Sequence, residues 1–117
     1  INKGGNILFV SSTNGIDTPY IESIDYDASK AGVISLMHNF ASVLAPIRVN
    51  AIAPGWVDTE MNAYLGDKFK KKEEEKILLK RFASPEEISK VINFVISDEA
   101  SYINDTVIRV DGGVNNG

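Results

Sequence analysis

Cysteine is absent from the 117 residues, which excludes a disulfide framework and any thiolate metal site. Histidine occurs once, as His38, inside a helical pattern and without a companion ligand, so it reads as a helix-surface or packing residue. An excess of positive charge is also missing. The 12 Lys and Arg against 16 Asp and Glu give a net charge of −4 and a pI near 4.9, leaving no basic surface for nucleic acid or another polyanion. No apolar run approaches the roughly 18 residues of a membrane span, and no basic, apolar, small-residue signal pattern opens the chain. A cytoplasmic protein without a membrane partner is expected. Repeats and low-complexity tracts are lacking too, apart from a run of lysine and glutamate between 68 and 76. The first residue is Ile1 rather than methionine, and the chain reads as an internal start.

What is present suits one modest core, with 44% hydrophobic residues and too little length for two domains. Asn6 to Ser11 is a continuous apolar run bounded by Gly4-Gly5 and the Gly15 loop, the profile of a strand buried on both faces of a parallel sheet. Residues 13 to 25 read as a loop in which Tyr20, Ile21 and Ile24 either line a pocket or anchor the loop. A helix follows from Asp25 or Tyr26 to Ala45, with Ala28, Ala31, Ile34, Met37, Phe40, Ala41 and Leu44 as its apolar stripe, and Pro46 stops it. Val33, Leu36 and Val43 widen that stripe toward a second partner surface. Ile47 to Ala53 forms the second strand, closed by Pro54-Gly55. Residues 60 to 80 read as a solvated helix with opposite charges at helical spacing, carrying Tyr64, Leu65, Phe69 and Leu78. Ser84-Pro85-Glu86-Glu87 signals a capped helix start. The third strand is expected over Thr106 to Val110, before Asp111-Gly112-Gly113.

The chemistry concentrates between Ser12 and Lys30. Residues four apart share a helix face, so the Tyr26 phenol and the Lys30 ammonium point into one space. The positive charge favours the phenolate and pulls Tyr26 below the free value of about 10, toward use as a proton donor or acceptor near neutrality. Ser12, delivered by a strand end, would hydrogen-bond the same reacting oxygen. On its own Tyr-x-x-x-Lys recurs often by chance, as an exposed lysine one turn beyond a surface tyrosine.

Its company makes it specific. Ser11-Ser12-Thr13-Asn14-Gly15, Tyr26-Asp27-Ala28-Ser29-Lys30-Ala31-Gly32, Arg48 to Thr59 with its Asn50-Ala51-Ile52-Ala53-Pro54-Gly55 core, and Val110-Asp111-Gly112-Gly113 stand in one order. That order closely resembles the C-terminal half of short-chain dehydrogenases/reductases, from about Gly4 to Val114. The resemblance implies an α/β fold, the C-terminal part of a doubly wound parallel Rossmann-type sheet with three strands, in which residues 1–117 are half of one NAD(P)-binding domain and 60–80 a substrate lid. It implies hydride transfer between NAD or NADP and a carbonyl or secondary alcohol, closest in flavour to 3-oxoacyl-carrier-protein reductases and sugar or polyol dehydrogenases. Tyr26 would exchange the proton, Lys30 would lower its pKa and hold the nicotinamide ribose, and Ser12 would position the substrate oxygen. The Pro54-Gly55 turn would meet the nicotinamide ring, with the Val57 backbone and the Thr59 hydroxyl on the carboxamide. Thr59 reads equally as the N-cap of a helix containing Met61. The long helix would pack against its copy in a homo-oligomer, a dimer or tetramer.

The glycines at 4, 5, 15, 32, 55, 66, 112, 113 and 117 never form Gly-x-Gly-x-x-Gly or its family variant, so the pyrophosphate seat is not in this sequence. The residue that separates NAD from NADP and the upstream catalytic asparagine are missing with it. Two readings follow: the C-terminal part of an oxidoreductase, or a non-catalytic truncated remnant that serves only in subunit association.

Overall fold

A computed structural model describes residues 5–12, 24–59 and 66–114, with the side chains of residues 24–27 outside that description. Three parallel strands, β1 (Asn6–Val10), β2 (Arg48–Pro54) and β3 (Val107–Val110), lie in the order β1-β2-β3. The register aligns Asn6 with Arg48 and Val10 with Ile52, then Ala51 with Val107 and Pro54 with Val110. The helices are α1 (Ile24–Leu44), α2 (Asp67–Glu75) and α3 (Pro85–Ile96), with a turn of 3-10 helix at Asp98–Ala100 before β3. This is the expected α/β architecture. The limits of the three strands and of α1 fall within two residues of those expected from the sequence, whereas the helix expected within residues 60 to 80 occupies Asp67–Glu75.

Strand alternation sorts the side chains onto two faces. Ile7, Phe9, Val49, Ala51 and Val107 meet Met37, Ala41 and Leu44 of α1. On the opposite face Asn6 Nδ2 donates to the Ile96 carbonyl of α3, and Arg48 donates to the Val95 and Ser97 carbonyls at 3.1 Å each. The helices α1 and α3 therefore cover opposite faces, the layering a parallel sheet requires. Met37, Val49, Ile52 and Val95 are fully buried, each contributing about 1.5–3 kcal/mol relative to exposure.

Two expectations about burial are corrected. β1 is half-buried rather than buried on both faces, because β2 is its neighbour on one side and Val10 remains 49% exposed at its end. In α1 the buried positions among the described residues are Met37 and Ala41, whereas Ala28, Ala31 and Phe40 of the expected stripe are exposed; Leu36 and Val43, read as facing a second surface, are exposed as well, Val43 by 76%. One sheet layer is narrower than the apolar stripe, so part of the stripe faces outward. Phe40 still stacks on Phe9, ring centroids 6.1 Å apart.

Candidate functional site

The carboxyl end of β1 is tied to α1 through Ser11. Its N–H donates to the Ile52 carbonyl at 2.8 Å, and its Oγ donates to the Lys30 carbonyl at 2.9 Å. The hydroxyl is buried, and this bond satisfies it. Ser12 follows, half-buried, and Lys30 is half-buried one turn beyond Tyr26 in α1. Through Ser11 the carboxyl end of β1 is thus fastened to the early part of α1, at the end of the sheet where open α/β sheets bind ligands; Ser12 follows Ser11 in the chain, and the Tyr26 side chain lies outside the described residues. Sequence reasoning chose Ser12 as the hydroxyl of the site and gave Ser11 no role of its own; the structure ties Ser11 to α1.

The second edge of the site is the end of β2. Pro54 pairs with Val110, and the Gly55 N–H donates to the Val110 carbonyl at 3.1 Å. A Cβ on Gly55 would lie 2.8 Å from the Asp111 Cβ, so this glycine is required by the turn after β3. Asp111 is held there by the Gly113 N–H at 2.9 Å and by Arg109. Beyond Gly55 the chain changes partner. Val57 forms an isolated parallel bridge with Ala83, in which Ala83 N–H donates to the Trp56 carbonyl at 3.0 Å and Asp58 N–H to the Ala83 carbonyl at 2.8 Å. Because this pairing uses Trp56 and Asp58, the peptide groups of Val57 are directed away from Ala83. Thr59 is exposed at the end of this stretch; residues 60–65, with Met61 and the start of the helix that Thr59 was expected to cap, lie outside the described residues.

Aromatic side chains join this stretch to α2. Trp56 stacks on Phe82 with centroids 5.4 Å apart and meets the edge of Phe69 at 5.8 Å. Lys70 lies over the Phe82 ring at 5.4 Å and pairs with Asp58 at 3.3 Å. Of the residues read as lid or loop lining, Phe69 packs on Trp56 and Leu78 is exposed beside Gly113, while Tyr20, Ile21, Tyr64 and Leu65 and the side chain of Ile24 lie outside the described residues. A separate cleft of about 270 Å³ is lined by Arg81, Glu87, Arg109 and Asp111. Each of these arginines pairs with a carboxylate, so the cleft offers a ligand little net charge. Among the described residues no group of His, Asp and Glu is arranged to hold a metal ion, and no helix is long and apolar enough to cross a membrane.

The family described as enoyl-(acyl carrier protein) reductase matches residues 1–115. The chain is 43% identical over 114 residues to a 3-oxoacyl-[acyl-carrier-protein] reductase of Aquifex aeolicus, covering 96% of this chain and 46% of that protein. It is 44% identical over 115 residues to the Thermotoga maritima protein of the same name, with the same coverage. It therefore spans about half the length of the curated relatives it matches. A short-chain dehydrogenase/reductase structure from Serratia marcescens superposes with a TM-score of 0.90 at 32% identity, covering 97% of this chain and 46% of that one. With a family match running through nearly the whole sequence and the same half-sheet in the solved relatives, the chain belongs to the short-chain dehydrogenase/reductase family.

Proposed function

We propose that this chain supplies the proton-relay and nicotinamide-side half of an NAD- or NADP-dependent oxidoreductase acting on a carbonyl or secondary alcohol. The observation that carries the reading is the Ser11 Oγ bond to the Lys30 carbonyl, which fastens the Ser12 strand end to the Tyr26–Lys30 turn of α1. The names of the similar Aquifex and Thermotoga reductases favour a 3-oxoacyl thioester as substrate. A nicotinamide dinucleotide, when bound, supplies or accepts the hydride. By the family resemblance the Pro54-Gly55 turn, the Val57 backbone and the Thr59 hydroxyl would hold it, and Thr59 is exposed at the end of this stretch. In the direction of reduction Ser12 holds the substrate oxygen and Tyr26 delivers the proton to it. The Lys30 ammonium stabilises the tyrosinate that remains and holds the ribose. Leu36, Phe40 and Val43, exposed along one side of α1, are the face on which a second copy would pack in a cytoplasmic homo-oligomer.

The test uses the complete protein that carries this chain. Tyr26→Phe is expected to lower kcat by about 10²- to 10⁴-fold while leaving dinucleotide affinity close to unchanged, since the phenol acts only on the reacting oxygen. Lys30→Ala is expected to lose turnover and dinucleotide affinity together. Wild-type turnover by Tyr26→Phe would remove the proton donor from this reading.

A further inference from the structure

We propose that Trp56 is a positioning residue for the dinucleotide, acting through its stack on Phe82 to set how the Val57–Thr59 backbone leaves β2. The proposal rests on the reading that Val57 and Thr59 hold the nicotinamide. The role proposed for Trp56 runs through its contacts with Phe82 and Phe69.

The need for such a residue follows from the backbone. As far as Gly55 the chain is guided by the β3 ladder, whose last bond is Gly55 N–H to Val110. Past it, the isolated Val57–Ala83 bridge guides the stretch through the Trp56 carbonyl and the Asp58 N–H. A one-residue bridge fixes separation but leaves the chain free to roll about its own axis, because no adjacent ladder pair resists rotation. The side chains remove that freedom. Trp56 and Asp58 both face α2, the first through Phe69 and the second through Lys70. Alternation then places the Val57 side chain on the opposite face.

The rings also have a firm base. Phe82 is 5% exposed and lies within 9° of parallel to Trp56, and Lys70 covers it while reaching Asp58. One lysine thus spans the two segments joined by the bridge. A rolled Val57–Thr59 stretch would have to break the stack, the Phe69 contact and the Lys70–Asp58 pair together. Rigid support of this kind decides whether binding groups sit within the small tolerance a productive geometry allows.

In the complete protein, Trp56→Ala and Phe82→Leu are expected to raise the dinucleotide KM about tenfold, with the carbonyl-substrate KM nearly constant, as expected when a holding contact is misplaced. Trp56→Phe, which keeps a ring to stack, should restore most of that affinity. Thr59→Val serves as the reference for the underlying reading and should also raise the dinucleotide KM. If Thr59→Val does so while Trp56→Ala and Phe82→Leu only lower kcat or the melting temperature, the stack is structural and the proposal is overturned. If Thr59→Val leaves the dinucleotide KM unchanged, the nicotinamide reading itself fails and the proposal falls with it. Should Trp56→Ala not fold, the milder Phe82→Leu, which keeps an apolar side chain, decides alone.

Discussion

Glu87 receives both arms of the Arg81 guanidinium, at 2.7 and 2.9 Å, and accepts the Ser84 N–H at 2.9 Å as well. The Arg81 hydrogen bonds, followed by the Ser84 backbone bond, lower its carboxyl from 4.5 to about 2, and Arg81 is correspondingly raised. A depressed carboxylate adds stability that is fully present above its unfolded value and is lost as pH falls through its folded value. Glu87→Gln should therefore melt below wild type at neutral pH, with the gap closing as pH falls from 4.5 to about 2. Because both side chains are exposed, salt should shrink the gap too. A pH-independent gap over that range would contradict the assignment. The cap half of this arrangement was legible as Ser84-Pro85-Glu86-Glu87, and the structure has both capping-box bonds. Arg81 was not legible, since it reaches Glu87 across a turn that no helical or strand period describes.

At the scale of elements, β2 is the piece into which the rest is stitched. Arg48 donates to three backbone carbonyls, those of Ile103, Val95 and Ser97, and so joins β2 to the end of α3 and the segment before β3. Asn50, fully buried, donates to Ile103 and accepts from the Thr106 N–H, and the Asn104 side chain accepts from the Val49 N–H. His38 of α1 pairs with Asp105 from the other face, a surface role for a histidine that the sequence alone placed on a helix. Arg48→Met keeps the aliphatic stem but strands these carbonyls, and is expected to cost about 1.5–3 kcal/mol in denaturant unfolding, the range for hydrogen bonds to a charged group. A loss under about 0.5 kcal/mol, the ordinary range for surface substitutions, would mean that water replaces the guanidinium without penalty. The strands and helices themselves were readable because apolar periodicity, Pro46 and Pro54-Gly55 punctuate them. Which side of α1 is buried was not, because Leu36, Phe40 and Val43 are as apolar as Met37 and only the width of the sheet separates them. The aromatic set of Trp56, Phe69 and Phe82 carries no local pattern, and only the fold brings it together.

For the whole molecule, the sheet has β1 at one side with Val10 half exposed, and α1 turns an apolar row outward. A strand with one neighbour presents unpaired backbone groups that invite pairing by another chain. Ser12, Lys30 and the Val57–Thr59 stretch gather at the carboxyl end of this half-sheet, whereas the glycine-rich turn and helix N-terminus that concentrate charge-assisted bonds on a pyrophosphate are not in its sequence. The central claim is therefore that the proton relay and the nicotinamide contacts lie here and the dinucleotide's main anchorage lies outside these residues. Calorimetric titration of the isolated 117-residue chain with NAD and NADP, beside size-exclusion chromatography with light scattering, tests it most directly. The expected result is no measurable binding by a chain that self-associates, against clear binding by the complete protein. Micromolar binding by a well-behaved monomer of the isolated chain would contradict it.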